Sequence, residues 1–429
     1  MITRKIDLKI CLFLIVIMSQ NKSSILKQAK LFNFKGEQTM IGAMKKERIS
    51  LTCAPGGENH RGNQLIGRMP IKGEGFTAED IDGIRPYFET NGHAGRVEVL
   101  NLNVLSGVDK IMGLEDEHQG RVLLLRNWVQ NEMQEAESKE TYTEGVYREL
   151  VADEWDSKYL DPNKHPDLLD ADGKPVLDPT DPKGKRVLRD KTKHGRVMNK
   201  LARQNICYAL DMDQKPDYAE GKGTIVNLKT KAKLFKAVER LKQMIAEGLI
   251  AIGSKTEVII NVVEGNRYYD LKKTGIGFHG DTERVVVICI TIGGGGSYPM
   301  RWQWFKDGMP VGKPIDIELN DGDVYVMSEK SVGADWKKKV IYTLRHAAGA
   351  EKYRTLKKWE NRREAYEARV KAKAEKLAFK VKSKNTSKPK NKIVIKGKRK
   401  RVIVKGKVEE NDKKNRRKTT INGGLKKEK

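Results

Sequence analysis

Between residues 258 and 327 the chain breaks into short apolar runs divided by turn formers, a pattern that leaves few folds open. Val258–Val263, Arg284–Ile292, Met300–Phe305, Ile315–Leu319 and Val324–Met327 are rich in β-branched and aromatic residues. Gly293–Ser297 (GGGGS) and Asn320–Asp323 (NDGD) interrupt them. Closely spaced short strands with such breakers predict a sandwich or jelly roll.

The flanks are mixed. Thr77–Phe88 predicts a helix capped by Thr77, with acids in its first turn. Arg96–Leu105 and Arg121–Trp128 alternate like strands, and Trp128–Leu150 reads as a charged helix. Lys229–Gly248 is amphipathic: Leu234, Val238, Leu241 and Ile245 form one stripe, with Gly248 as the expected stop. Asp170–Pro182 lacks the spacing and terminal Glu of a calcium loop, so residues 153–190 read as a solvated insertion. The stretch from His194 to Asp211 either lines an entrance or packs on the core as a helix plus strand. Up to about residue 70 there is little periodicity. The apolar run 10–18 follows Arg4, Lys5 and Lys9 like a signal peptide, but it is too short to span a bilayer and no small-x-small cleavage site follows. A disordered arm or an over-extended start is expected there.

The expectation is an α+β chain in four parts: a poorly structured arm (1–70), an α/β extension with the insertion (71–250), a double-stranded β-helix core (251–360), and a charged helix with a disordered basic tail (361–429). Charge supports the last boundary. The net charge is +27, yet residues 371–429 hold 24 Lys and Arg against five Asp and Glu, a net of +19 that leaves +8 for everything before. Such an excess predicts a polyanionic partner, nucleic acid before a membrane surface. The clusters 396–401 (KGKRKR) and 413–418 (KKNRRK) suit phosphate contacts or a nuclear address. The cysteines, Cys11, Cys53, Cys207 and Cys289, form no CxxC pair, which predicts a reduced intracellular protein, and the basic tail predicts the nucleus or another nucleic-acid-containing compartment.

Chemistry concentrates in Gly275–Glu283, GIGFHGDTE. His279 and Asp281 stand two apart in a strand-like run, so they share one face. An imidazole and a carboxylate so placed can supply two ligands of a 2-His-1-carboxylate triad. His346 is the only histidine after Asp281 and the only available third ligand. A second His-x-Asp, His165-Pro-Asp167, lies in the insertion with a proline that disfavours a central strand; it reads as a chance match.

The series NRYYDLKKTGIGFHGDTE, then GDVYVM, then TLRHAAG resembles the AlkB-like branch of the Fe(II)/2-oxoglutarate dioxygenases over Lys255–Tyr353. The resemblance implies a double-stranded β-helix, with Fe(II) held by His279, Asp281 and His346 and with Asn266 and Tyr268 touching 2-oxoglutarate. It implies a reaction that consumes O2 and the keto acid and oxidises a substrate C–H bond. The family's closing strand, R-x-N-x-T-x-R after the last His, is missing. Lys352 and Arg354 in AEKYRTLKKW are the candidates for gripping the far carboxylate, the lysine being similar to that of prolyl-4-hydroxylases. A rival alignment takes KVIYTLR (Lys339–Arg345) as the closing strand, puts the metal His near residues 336–338 where none exists, and gives an inert protein. Glu283 resembles the acid these sites keep near substrate; the plain alternative is a solvated strand-end carboxylate. Trp302, Trp304 and Phe305 are expected in the core rather than on a base-stacking surface. Three readings follow: a dioxygenase acting on an alkylated or methylated nucleic-acid base, a protein side-chain hydroxylase, or an inert nucleic-acid-binding protein with a retained jelly roll.

Overall fold

The computed structural model describes residues 40, 42–44, 46–60, 64–111, 118–294 and 296–385. The chain divides into two compact units, Met1–Glu364 and Ala365–Lys429. The first is α+β. Its strands are β1 (Arg48–Ala54), β2 (Gly56–His60), β3 (Gln64–Gly67), β4 (Val97–Asn101), β5 (Arg121–Leu125), β6 (Lys158–Asp161), β7 (Arg196–Asn199), β8 (Gln204–Ala209), β9 (Ile225–Asn227), β10 (Val262–Tyr268), β11 (Gly275–His279), β12 (Val287–Gly293), β13 (Tyr298–Lys306), β14 (Met309–Leu319), β15 (Val324–Met327) and β16 (Thr343–Gly349). Eight of them form one sheet, in the order β4-β5-β15-β12-β1-β10-β8-β9, and four form a second, β11-β16-β13-β14. The pairs β2-β3 and β6-β7 stand as separate ribbons.

Period-two alternation sorts the side chains of the large sheet between two cores. Ile49, Leu51, Cys53, Val263, Ile288, Ile290, Ile292, Val324 and Val326 point to a helix-covered core, which includes Leu234, Val238, Leu241 and Ile245 of the helix Ala232–Ala251. Val287, Cys289, Tyr325, Met327 and Tyr268 point the other way and share a second core with Tyr298, Met300, Trp302, Trp304, Leu344 and Ala348 of the small sheet. The two sheets therefore face each other across that second core. Trp302, Trp304 and Phe305 are fully buried, as expected of core aromatics.

Local signals match in several places. Thr77 caps Ala78–Gly83 through a reciprocal capping box with Asp80. The helical expectation for Trp128–Leu150 resolves into two helices, Trp128–Met133 and Tyr142–Val151, and Arg96–Leu105 into β4 followed by the helix Leu102–Ser106. The amphipathic helix runs past its expected stop. Gly248 is buried inside it, where a Cβ would sit 3.3 Å from Ile84 and Tyr87, so the glycine admits a neighbour instead of ending the helix. The insertion is largely exposed and is tied by turns in which Asp170, Asp178, Asp181 and Asp190 accept from following backbone N–H groups.

Two expectations fail. Residues 48–54 fell within the expected unstructured arm, yet β1 is an inner strand of the large sheet, paired with β10 on one side and β12 on the other. AEKYRTLKKW, placed inside the expected β-helix core, forms no strand but the short helices Glu351–Arg354 and Lys357–Glu360. The helix Arg363–Asn385, which enters the second unit at Ala365, carries the charged stretch. The clusters 396–401 and 413–418, the apolar run 10–18 and Cys11 lie outside the described residues. Among the described residues, no helix is long and apolar enough to cross a membrane.

Candidate metal centre

The small sheet carries both histidines. β11 and β16 pair antiparallel with His279 opposite His346, and the register shifts between Ile276 and His279. That bulge decides the site. Ile276 packs inward on the shared core, and unbroken alternation would send Phe278 inward as well. With the shift, Phe278 instead joins Phe305 and Trp359, at 5.9 and 5.8 Å between ring centres, while His279 turns toward His346, 4.5 Å away. The strand ends at His279, so Asp281 does not share a strand face with it as the spacing suggested. Asp281 is held by its N–H donating to the Val332 carbonyl at 3.2 Å. Gly280 permits the close approach, since a Cβ there would run into the Gly333 carbonyl oxygen.

His279 Nε2 and His346 Nε2 lie 3.5 and 3.8 Å from the same oxygen, Asp281 Oδ1. All three donor atoms fall within 4.8 Å of one another, and these three residues could hold a metal ion. Donors bonded at about 2.1 Å in cis positions stand about 3 Å apart, so the group is slightly wider than a loaded site. Protonation also fits. His279 Nδ1 lies 2.8 Å from the Gly277 carbonyl and 3.1 Å from the His346 carbonyl, which makes Nδ1 a donor and turns Nε2 toward Asp281. Burial above all, with the Arg284 guanidinium nearby, holds the His346 pKa well below its ordinary value, so that ring is a neutral donor.

Across the core, the inward face of β10 presents Glu264, Asn266 and Tyr268. Asn266 Oδ1 accepts from Arg203 Nε and Asn205 Nδ2, and its Nδ2 donates to Glu264 at 3.2 Å. The stretch 194–211 thus reaches this wall through Arg203 and Asn205, as β7, a loop and β8 without a helix. Tyr268 lies 4.9 Å from the Tyr298 ring, and burial pushes its hydroxyl up to about 12. Beside it on β1 is Arg48, fully buried. Its Nη2 donates to the Gly296 and Leu319 carbonyls at 2.8 and 3.1 Å, whereas Nε and Nη1 are buried without a hydrogen-bond partner. Burial lowers the Arg48 pKa, opposed by Asp321 and Asp323.

The remaining expected residues divide. Glu283 joins the cluster: its Oε1 accepts from Arg284 at 3.0 Å, and burial raises its pKa against the pull of that guanidinium. Arg354 does not. It donates to the Gly349 carbonyl at 2.8 Å and to Glu351 at 3.0 Å. It also sits 3.6 Å from Asp316, the partner of Arg301, which alternation places on the face of the small sheet opposite His346. Lys352 is exposed, its ammonium over the ring of Tyr353. The second His-x-Asp stays apart: His165 stacks on His194 at 4.8 Å, and Asp167 pairs with Arg189 and Arg196. Sequence reasoning missed Arg48, Arg203, Glu264 and Arg284. For Arg48 a signal existed in the alternation Arg48-x-Ser50-x-Thr52 within RISLTCA, which marks a strand with its polar residues on one face.

No family model matches the chain, and no solved structure matches it. A search of curated proteins matches an uncharacterized protein of Acanthamoeba polyphaga mimivirus, 33% identical over 308 residues, a span of 72% of this chain and 98% of the viral protein.

Proposed function

The chain belongs to the same family as that uncharacterized mimivirus protein, and from the geometry of the site we propose that it is an AlkB-like Fe(II)/2-oxoglutarate-dependent dioxygenase. The observation that carries the reading is the convergence of His279, Asp281 and His346 on one side of a core whose other wall offers Tyr268, Asn266 and a half-satisfied buried arginine. In this reading the two facing sheets are a jelly roll whose closing strand comes from earlier in the chain. β1 occupies the place between β10 and β12, and Arg48 brings the missing cation with it.

The three ligands would hold Fe(II). Bound there with the keto acid, the metal would activate O2, which would oxidise both the keto acid, to succinate and CO2, and a substrate C–H bond. The chain's own residues do the rest. Two neutral imidazoles and one carboxylate leave one side of the ion open. Arg48, with two nitrogens lacking acceptors in a buried setting, suits the far carboxylate of 2-oxoglutarate, aided by the Tyr268 hydroxyl. Asn266 and Arg203 suit the end nearer the metal. Arg48 replaces Lys352 and Arg354 in this assignment. The burial of Trp302 and of the sheet-to-sheet core keeps bulk water from that side.

For substrate, the basic C-terminal stretch favours a nucleic-acid base bearing an alkyl or methyl group over a protein side chain, and a nucleic-acid-containing compartment over a secretory one. Succinate release from 2-oxoglutarate with Fe(II) is the test. Turnover in the wild type and none in His279→Ala is expected; absence of succinate, with no uptake of Fe(II) or Co(II), would sink the enzyme reading and leave the inert nucleic-acid binder. Methylated oligonucleotides against peptides then separate the two substrates.

A further inference from the structure

Arg284 is fully enclosed beside the metal-ligand group, three residues after Asp281, and faces three carboxylates. Its Nη2 donates to Glu264 and, at 3.0 Å, to Glu283 Oε1. Its Nε has no hydrogen-bond acceptor within reach and lies 3.6 Å from Asp281 Oδ2. The two oxygens of Asp281 are therefore differently employed: Oδ1 faces both imidazoles and Oδ2 faces the guanidinium. An arginine enclosed among three acids in a poorly screened setting holds them firmly, because any acid that swings away leaves charge unpaired.

We propose that Arg284 is the positioning residue of the metal centre: it reserves Asp281 Oδ2, so that the metal receives Oδ1 alone, and it ties that carboxylate through Glu264 to the co-substrate wall. The continuation is Glu264 to Asn266 to Arg203. The assignment rests on the reading that His279, Asp281 and His346 bind a divalent ion. A single-oxygen carboxylate keeps a third position on the ion free; a carboxylate that binds through both oxygens would occupy it. Arg284 thus protects the opening on which the proposed chemistry depends, and a shift at the metal is felt at Asn266.

The experiment uses the full chain and Co(II), without turnover. Affinity is read by calorimetry and coordination by the intensity of the visible cobalt absorption. Arg284→Met should lose about 10- to 100-fold in Co(II) affinity, the usual size for removing a group that orients a ligand, and its absorption should weaken as Asp281 takes up both oxygens. Arg284→Lys, which keeps a cation near Oδ2, should recover part of both. Glu264→Gln should leave Co(II) affinity nearly intact but weaken 2-oxoglutarate binding to the cobalt form. Wild-type affinity and absorption in Arg284→Met overturn the proposal. If that variant does not fold, Arg284→Lys and Glu264→Gln decide: wild-type cobalt absorption in the first together with unweakened 2-oxoglutarate binding in the second overturns it equally. A wild type that binds no Co(II) overturns the metal reading itself and this proposal with it, whereas binding that His279→Ala abolishes keeps the two failures distinct.

Discussion

Replacing Arg48 by Met separates ligand recognition from folding, because the structure sends the two effects in different directions. The side chain is fully buried, has no carboxylate within ion-pair distance among the described residues, and leaves two nitrogens without acceptors. In the free protein the substitution removes two hydrogen bonds, to Gly296 and Leu319. It also removes a cation that burial disfavours. Hydrogen bonds from a charged group contribute about 1.5–3 kcal/mol each, and removing a buried unpaired charge returns about 3–5 kcal/mol, so the two nearly cancel and stability should move by no more than about 1–2 kcal/mol. Binding is another matter. A carboxylate accepting from one of the free nitrogens gains about 1.5–3 kcal/mol for that charge-assisted bond, and a net of about 2 kcal/mol corresponds to roughly 30-fold in affinity. Calorimetric titration of 2-oxoglutarate into the Co(II)-loaded variant should show that loss, with Co(II) affinity and the urea midpoint nearly unchanged. A change of less than about threefold in 2-oxoglutarate affinity, on the scale where tenfold is 1.4 kcal/mol, or a parallel fall in Co(II) affinity, would refute the reasoning.

Other perturbations test the frame around the site. Gly280→Ala places a Cβ against the Gly333 carbonyl and should destabilise the protein by about 1–3 kcal/mol in urea unfolding while weakening Co(II) uptake. His279→Ala should abolish Co(II) binding with little change in the unfolding midpoint, since that ring is a quarter exposed. Lys200 offers a pH readout: burial, opposed by Asp156, lowers its pKa from 10.5 to about 8. The unfolded chain then holds the proton that the folded one releases, so this group makes stability rise between about pH 8 and 10.5 and contributes no slope below about 8. Lys200→Met should flatten that rise in urea melts taken across the range.

Much of the site was legible because its parts are local. His279 and Asp281 stand in one turn of chain, and β15 matches the apolar run Val324–Met327 residue for residue. What escaped depends on partners distant in sequence. β1 reads RISLTCA, with polar residues on alternate positions and no periodic neighbour, and only its pairing with β10 and β12 makes it an inner strand. The bulge between Ile276 and His279 cannot be seen from residue types, yet it gives His279 its direction. In the AlkB-like proteins that the sequence resembles, the gripping cation follows the last His. A helix there, with Arg354 spent on Gly349, Glu351 and Asp316, moves the search to the other side of the sheet.

The position of β1 bears on how such a chain is made. On a ribosome, residues 48–54 emerge long before either strand that flanks them, so they wait unpaired while the helices and ribbons between are synthesised. Until they dock, β10 and β12 present two backbone edges separated by the width of one strand, a slot rather than a border. Any extended peptide of suitable pattern can fill a slot. A polypeptide beginning after residue 54 would thus be open to strand donation, by a supplied copy of residues 44–56 or by a neighbouring molecule's own free strand.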